Sequence, residues 1–180
     1  MGRLATVSES FRQVLRALPD FPDDMPTFDP ATAPTDPVVL FRSWLAAALA
    51  VGVRQPHAFS LATVGATGAP SSRMLILKDL DDDGWQFATA RTSRKGVELA
   101  ENPRAAMNFY WPRQGRQVRL AGGVVELSAE ASARDWADRP AAADAPNPAW
   151  QLYALRPTEI EFWQASADRQ HIRHRYDLPG

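Results

Sequence analysis

Ala58 to Val64 (AFSLATV), the turn Gly65-Ala66-Thr67-Gly68, Ser71 to Leu80 (SSRMLILKDL), the turn Asp81-Asp82-Asp83-Gly84 and Trp85 to Ala90 (WQFATA) decide the fold class. The period in these runs is that of strands, and each run is bounded by residues that favour tight turns. Three antiparallel strands are expected here. Downstream, Ala105–Trp111 and Gln117–Leu127 form another hairpin across Pro112-Arg113-Gln114-Gly115, and Thr158–Gln164 reads as a sixth strand.

Helices flank these strands. Asp36-Pro37 supplies an N-cap and a proline at the first helical position, opening a helix to about Val51 with Val39, Leu40, Trp44 and Leu45 on its apolar face. Gly52 stops it. Ser93–Glu101 reads as a short helix ending at Asn102-Pro103, and Ser128 caps a further one through Asp138. The expected class is mainly β with flanking helices (α+β), a six-stranded antiparallel barrel. Residues 8–17 form a short amphipathic helix and six prolines from Pro19 to Pro37 follow, so 1–35 is an N-terminal helix and proline-rich arm, and 36–180 a single domain. The charged tail from Ser166 lacks an apolar face, and its composition alone predicts disorder.

A chain of 180 residues suits one core. With 20 Lys+Arg against 21 Asp+Glu and a net charge of −1, no overall field draws nucleic acid or an anionic membrane, so any anion site must be local. The lack of cysteine excludes disulfides, thiolate metal sites and thiol nucleophiles. His57, His171 and His174 lack the helical spacing of a metal pair, and no metal is expected. The apolar run Trp44–Val53, flanked by Arg42 and Arg54, is too short to span a bilayer. No basic-then-apolar leader is visible, which makes a cytoplasmic protein the expectation. The sequence has no G-x-S-x-G, G-x-x-x-x-G-K-[ST] or G-x-G-x-x-G, against Ser-His-Asp hydrolysis, nucleoside-triphosphate and Rossmann chemistry.

Strand alternation sends Arg73, Leu75 and Leu77 to one face and Met74, Ile76 and Lys78 to the other. Alone, that is a buried strand with solvated charges at its ends. Ser93-Arg94-Lys95-Gly96, however, sits where a strand gives way to a helix, so free N–H groups, the helix dipole and two cations can converge on a phosphate. Thr89 could add a hydroxyl. Gln117 is a neutral amide among Val118, Leu120 and Val124, either exposed or in need of a partner. Trp163 could stack on a ring or pack in the core. Arg169, His171 and Arg173 alternate, sharing one side if the tail is extended. Together these residues suggest one pocket for a phosphorylated aromatic cofactor.

In order and spacing, SLATV, SSRMLILK, SRKG, NPRAAMNFYW, GRQVRLAG, Arg139-Pro140, IEFWQ and RQHIR resemble the pyridoxamine 5′-phosphate oxidase family, the FMN-dependent split barrels. The likeness runs from about Asp36 to Tyr176. It implies FMN bound by Arg73, Met74, Leu75, Ile76, Leu77, Lys78, Thr89, Arg94, Lys95, Gln117, Trp163 and Arg173 at a homodimer interface. It also implies a small-molecule substrate, a B6 phosphate or another aromatic ring, held by Lys78, Arg139, Arg169 and His171, with Arg169 and His171 catalytic. The implied activity is hydride transfer from substrate to flavin, with oxygen as acceptor and hydrogen peroxide as product.

Two positions depart from the family pattern. Asp135 stands where a phosphate-binding tyrosine is expected, Ala143 where a serine is, and the connection at 141–149 is short. The chain thus resembles a shortened member with a divergent substrate site. An oxidase of a different aromatic substrate, like those of phenazine biosynthesis, a flavin-binding protein with little turnover, and a deazaflavin-dependent reductase stand as alternatives.

Overall fold

The computed structural model describes residues 10–139 and 145–179. Four helices, α1 (Phe11–Arg16), α2 (Pro37–Ala50), α3 (Arg94–Glu101) and α4 (Ala129–Ala137), accompany eight strands. The strands are β1 (Ala58–Val64), β2 (Pro70–Ile76), β3 (Asp79–Asp81), β4 (Gly84–Ala90), β5 (Arg104–Trp111), β6 (Arg116–Glu126), β7 (Trp150–Gln164) and β8 (Ile172–Asp177). All pairings are antiparallel, in the order β2-β1-β5-β6-β7-β4-β3, with β8 added to β7. The mainly β, antiparallel class holds, while the expected six strands become eight.

Both extra strands have a local cause. The stretch expected to run unbroken from Ser71 to Leu80 changes partner midway: Leu77 N–H donates to His57 C=O beside β1, and Lys78 N–H to Gln86 C=O on β4. That switch ties the two ends of the sheet together and curls it toward closure, which removes exposed edges. β8 lies in the tail whose composition predicted disorder. Its Ile172, His174 and Tyr176 are half-buried and alternate with exposed Arg173, Arg175 and Asp177. Tyr176 meets Phe162 at 5.8 Å and its hydroxyl donates to Pro34 C=O at 2.6 Å.

β7 begins eight residues before the expected Thr158, at Trp150. Its first half pairs with β4, its second with β8, and β6 runs along both. Where Pro157 removes a ladder donor, β7 carries an extra residue, Thr158, opposite the step from Ala121 to Gly122 of β6, and a Cβ on Gly122 would lie 2.0 Å from Arg156 C=O. Only glycine fits this kink.

The core is aromatic. Phe41 of α2 packs against Trp85 at 4.4 Å and Phe109 at 5.0 Å, and Trp44 meets Phe162 edge-on at 5.1 Å. The buried stripe of α2 is Leu40, Phe41, Trp44 and Ala48, while Val39, expected on it, is 51% exposed. The 3.6-residue period favours positions three and four apart over their neighbours. As expected, Asp36 caps α2, with Val38 N–H donating to Oδ1 at 2.8 Å, and Gly52 follows the helix at φ +74°. The arm is strapped to the body through Phe28, edge-on to Trp44 at 5.2 Å. Among the described residues, no helix is long and apolar enough to cross a membrane.

Candidate functional site

Arg73 lies opposite the buried Leu61 on the inward face of β2. Its guanidinium donates to Thr63 Oγ1 and Ser71 Oγ, each at 2.5 Å, and meets Glu98 Oε2 at 3.2 Å. Glu98 comes from α3, one turn beyond Arg94, whose Nε donates to its Oε1 at 2.8 Å. Hydrogen bonds from Ser71 and Thr63, more than the two arginines, hold the Glu98 carboxyl well below its ordinary 4.5, at about 2. It is therefore an anion at any working pH.

Ser93 caps α3 as expected, its Oγ accepting from Gly96 N–H at 3.3 Å and lying 3.1 Å from Thr89 Oγ1. Lys95 Nζ reaches the same Ser93 Oγ at 3.5 Å. Burial, and then the charge of Arg73, push the Lys95 ammonium below its ordinary range. Crowded cations of this kind favour binding an anion. Arg73, Arg94 and Lys95 against Glu98 leave a net +2, the charge of a phosphate dianion with its sign reversed. Gly96 lets the helix start press onto β4, since a Cβ there would lie 2.5 Å from Arg91 C=O and 2.6 Å from Ala90 C=O. The donor set and the cradle fit a phosphate.

Glu98→Gln is expected to lower thermal stability. Because the folded-state pKa is depressed, the gap to the native protein is full above about pH 4.5 and closes as pH falls through about 2. Thermal denaturation of both proteins across that range checks it. A gap independent of pH would mean that the carboxylate charge does not matter.

The rest of the predicted set lies elsewhere. Gln117, Trp163 and Arg173 stand side by side in one cross-strand row on β6, β7 and β8. They alternate with the buried Val118 and Phe162, so this row is on the outer face of the sheet. Three strand spacings separate β2 from β6, roughly 14 Å along the sheet. One chain does not gather the predicted residues into one pocket. On β2, Met74 is 65% and Ile76 41% exposed, whereas Leu75 and, just after the strand, Leu77 pack against the core.

The tail residues converge on Trp163. Its ring lies 4.7 Å from that of His171 and 6.0 Å from that of Phe21 in the arm. His171 Nδ1 accepts from Ser166 N–H at 3.1 Å, leaving Nε2 as the ring's outward nitrogen. Arg169 adopts φ +63°, uncommon for a side-chain-bearing residue, and pairs with Asp20 at 2.8 Å. Arg139 is remote from this group. Its guanidinium lies over Trp150 at 4.3 Å and Trp136 at 4.8 Å. Lys78 pairs with Asp135 at 3.1 Å. Ala143 and Pro140 fall outside the described residues. Among the described residues, no group of three His, Cys, Asp or Glu could hold a metal ion.

Sequence reasoning missed Glu98, Trp136, Trp150 and the arm residues Asp20 and Phe21. The four-residue step from Arg94 to Glu98 was a readable signal. The others become neighbours of the site only through the tertiary fold.

An antiparallel barrel with a phosphate-type cationic cluster at a helix start defines the class. The family profile for pyridoxamine 5′-phosphate oxidase matches residues 45–164, and that for the pyridoxine 5′-phosphate oxidase C-terminal dimerisation region matches residues 150–180. The chain belongs to the pyridoxamine 5′-phosphate oxidase family. It is 36% identical over 176 residues to the pyridoxine/pyridoxamine 5′-phosphate oxidase of Salinibacter ruber, covering 78% of this chain and 82% of that one. The enzyme of the same name from Actinobacillus succinogenes is 38% identical over 176 residues, covering 79% and 84%. Among solved structures, PhzG from Burkholderia lata 383, in complex with tetrahydrophenazine-1-carboxylic acid, superposes with a TM-score of 0.81 and 32% identity. That match covers 87% of this chain and 94% of PhzG. An FMN binding protein from Nostoc punctiforme shares the fold at a TM-score of 0.59 and 19% identity.

Proposed function

We propose that the chain is an FMN-dependent oxidase of the pyridoxamine 5′-phosphate oxidase type that works as a homodimer. The observation that carries this is the packing of Arg73, Arg94 and Lys95 around the hydroxyl-capped start of α3, a net positive cradle for the FMN phosphate. Lys78, Thr89 and residues 74–77, at the end of β2 and just after it, extend that side of the site toward the ring.

Geometry and the family match together support the homodimer. Gln117, Trp163 and Arg173 lie on the outer face, away from the phosphate cradle, and the dimerisation profile covers residues 150–180. A second copy docked on that face would bring its own Gln117–Trp163–Arg173 row against the first chain's cradle. In this arrangement Gln117 offers its amide to the flavin edge and Trp163 flanks the ring. Arg169 and His171 orient the substrate over it.

FMN, when bound, would accept a hydride from the substrate carbon bearing an amine or alcohol and pass the electrons to oxygen, giving hydrogen peroxide. The chain's residues position both partners and shield them from water. Purified protein is expected to be yellow, to bleach anaerobically with a ring amine or alcohol, and to release peroxide on re-aeration. Protein that binds no flavin would contradict the proposal.

Arg169→Ala is expected to lower kcat/KM by about tenfold or more while FMN stays bound, since a charged contact to substrate is worth roughly 1.5–3 kcal/mol. Steady-state kinetics with flavin absorbance separates the two effects. Unchanged kinetics would remove the tail from the site.

A further inference from the structure

Lys78 and Asp135 form a closed charge pair where Lys78 would otherwise present a free ammonium. Nζ and Oδ1 are 3.1 Å apart, with the side chains 24% and 13% exposed. Asp135 is fixed from its other oxygen, since Trp150 Nε1 donates to Oδ2 at 2.7 Å. The carboxylate cannot swing away from Lys78 without giving up that bond too.

The surroundings are acidic. Lys78 and Asp135 line a cavity of about 320 Å³ with Asp79, Asp81, Asp83, Asp138 and Arg134, so its carboxylates outnumber its cations five to two. An incoming phosphate dianion would have to break the Lys78–Asp135 pair and then sit beside a carboxylate left without its partner. Either step costs free energy.

Arg139 offers a different handle. On its other side Lys78 lines a cavity of about 340 Å³ with Arg139, Trp150, Met74 and Ile76. Trp136 and Trp150, 5.3 Å apart, stack against the Arg139 guanidinium. No described carboxylate pairs with it. A guanidinium packed against aromatic rings through cation–π contact can still offer N–H donors to a planar two-oxygen anion. Lys78, Asp135 and Arg139 sum to a single positive charge.

We infer that this site takes an unphosphorylated planar ring with at most one negative charge, a carboxylate being the group that the Arg139 fork suits. The inference rests on the proposed FMN-dependent reading and names its substrate class. Asp135 is the residue that sets the class, by occupying Lys78.

The test is calorimetric titration of FMN-loaded protein with pyridoxine and with pyridoxine 5′-phosphate. In the native protein the phosphate is expected to confer no gain, the two dissociation constants agreeing within about threefold. Asp135→Asn keeps the shape and the hydrogen-bonding reach but releases Lys78. It is expected to tighten pyridoxine 5′-phosphate by about tenfold or more, the worth of one charge-assisted bond, with pyridoxine unchanged. Asp135→Ser repeats the comparison should the amide variant fail to fold. A native preference for the phosphorylated ring of about tenfold or more, or a neutral variant that gains no phosphate affinity, overturns the inference. Flavin absorbance, read first on each preparation, distinguishes loss of the FMN site from failure of the charge argument.

Discussion

Replacing Arg94 and Lys95 together with alanine is expected to weaken FMN binding by about a hundredfold or more, because two charge-assisted phosphate contacts of roughly 1.5–3 kcal/mol each are lost. The fold is expected to survive, since Arg94 is 70% exposed and Lys95 makes a single long contact to Ser93. Arg73 remains held by Thr63, Ser71 and Glu98, so a residual cation stays in the cradle. Flavin fluorescence titration measures the effect, and circular dichroism shows whether the fold is intact. Affinity within threefold of the native protein would place the phosphate elsewhere.

Gly96→Ala is expected to lower both the melting temperature and FMN affinity. The added methyl would stand 2.5 Å from one backbone oxygen and 2.6 Å from another, and neither can rotate away as a side chain would. Overpacking of this kind costs about 1–3 kcal/mol. The structure relieves it by lifting the start of α3 off β4, which carries Ser93, Arg94 and Lys95 away from Arg73. Stability falls with loss of packing, and affinity falls because the cations no longer converge. A variant that melts and binds FMN like the native protein would show that the helix start is not seated against Ala90 and Arg91.

The same local signals explain which elements could be read from the chain. Asp36-Pro37 and Ser93 mark α2 and α3 because capping is a contact between near neighbours. β1 and β5 follow from alternation, since one of their faces is buried and the other is not. β7 fails that test: Gln151 to Leu155 are all buried, so no alternation marks where the strand begins. β4 is recognisable as a strand in a hairpin with β3, but its other partner is β7, sixty or more residues away, and no local pattern announces that pairing. β8 was hidden by charge, although Ile172, His174 and Tyr176 carry a weak alternation.

For the candidate site the division is similar. The cradle around Ser93-Arg94-Lys95-Gly96 was readable because the strand-to-helix junction itself makes the anion site. That Arg73 joins it depends on β2 running beside β1, which brings Ser71 and Thr63 together under Glu98. Asp135 was conspicuous as a departure, yet its pairing with Lys78 required α4, packed on β7, to reach the residue that precedes β3. The pocket expected at a homodimer interface is not completed within one chain, and alternation placed Gln117 and Trp163 on strands without saying which wall of the barrel they line.

The most direct measurement is a titration of flavin-free protein with FMN and, in parallel, with riboflavin, which has the same ring and ribityl chain without the phosphate. A cradle of net charge +2 predicts saturable binding of FMN, tighter than riboflavin by about a hundredfold or more. Equal affinity for the two flavins, or no uptake of either, would contradict it.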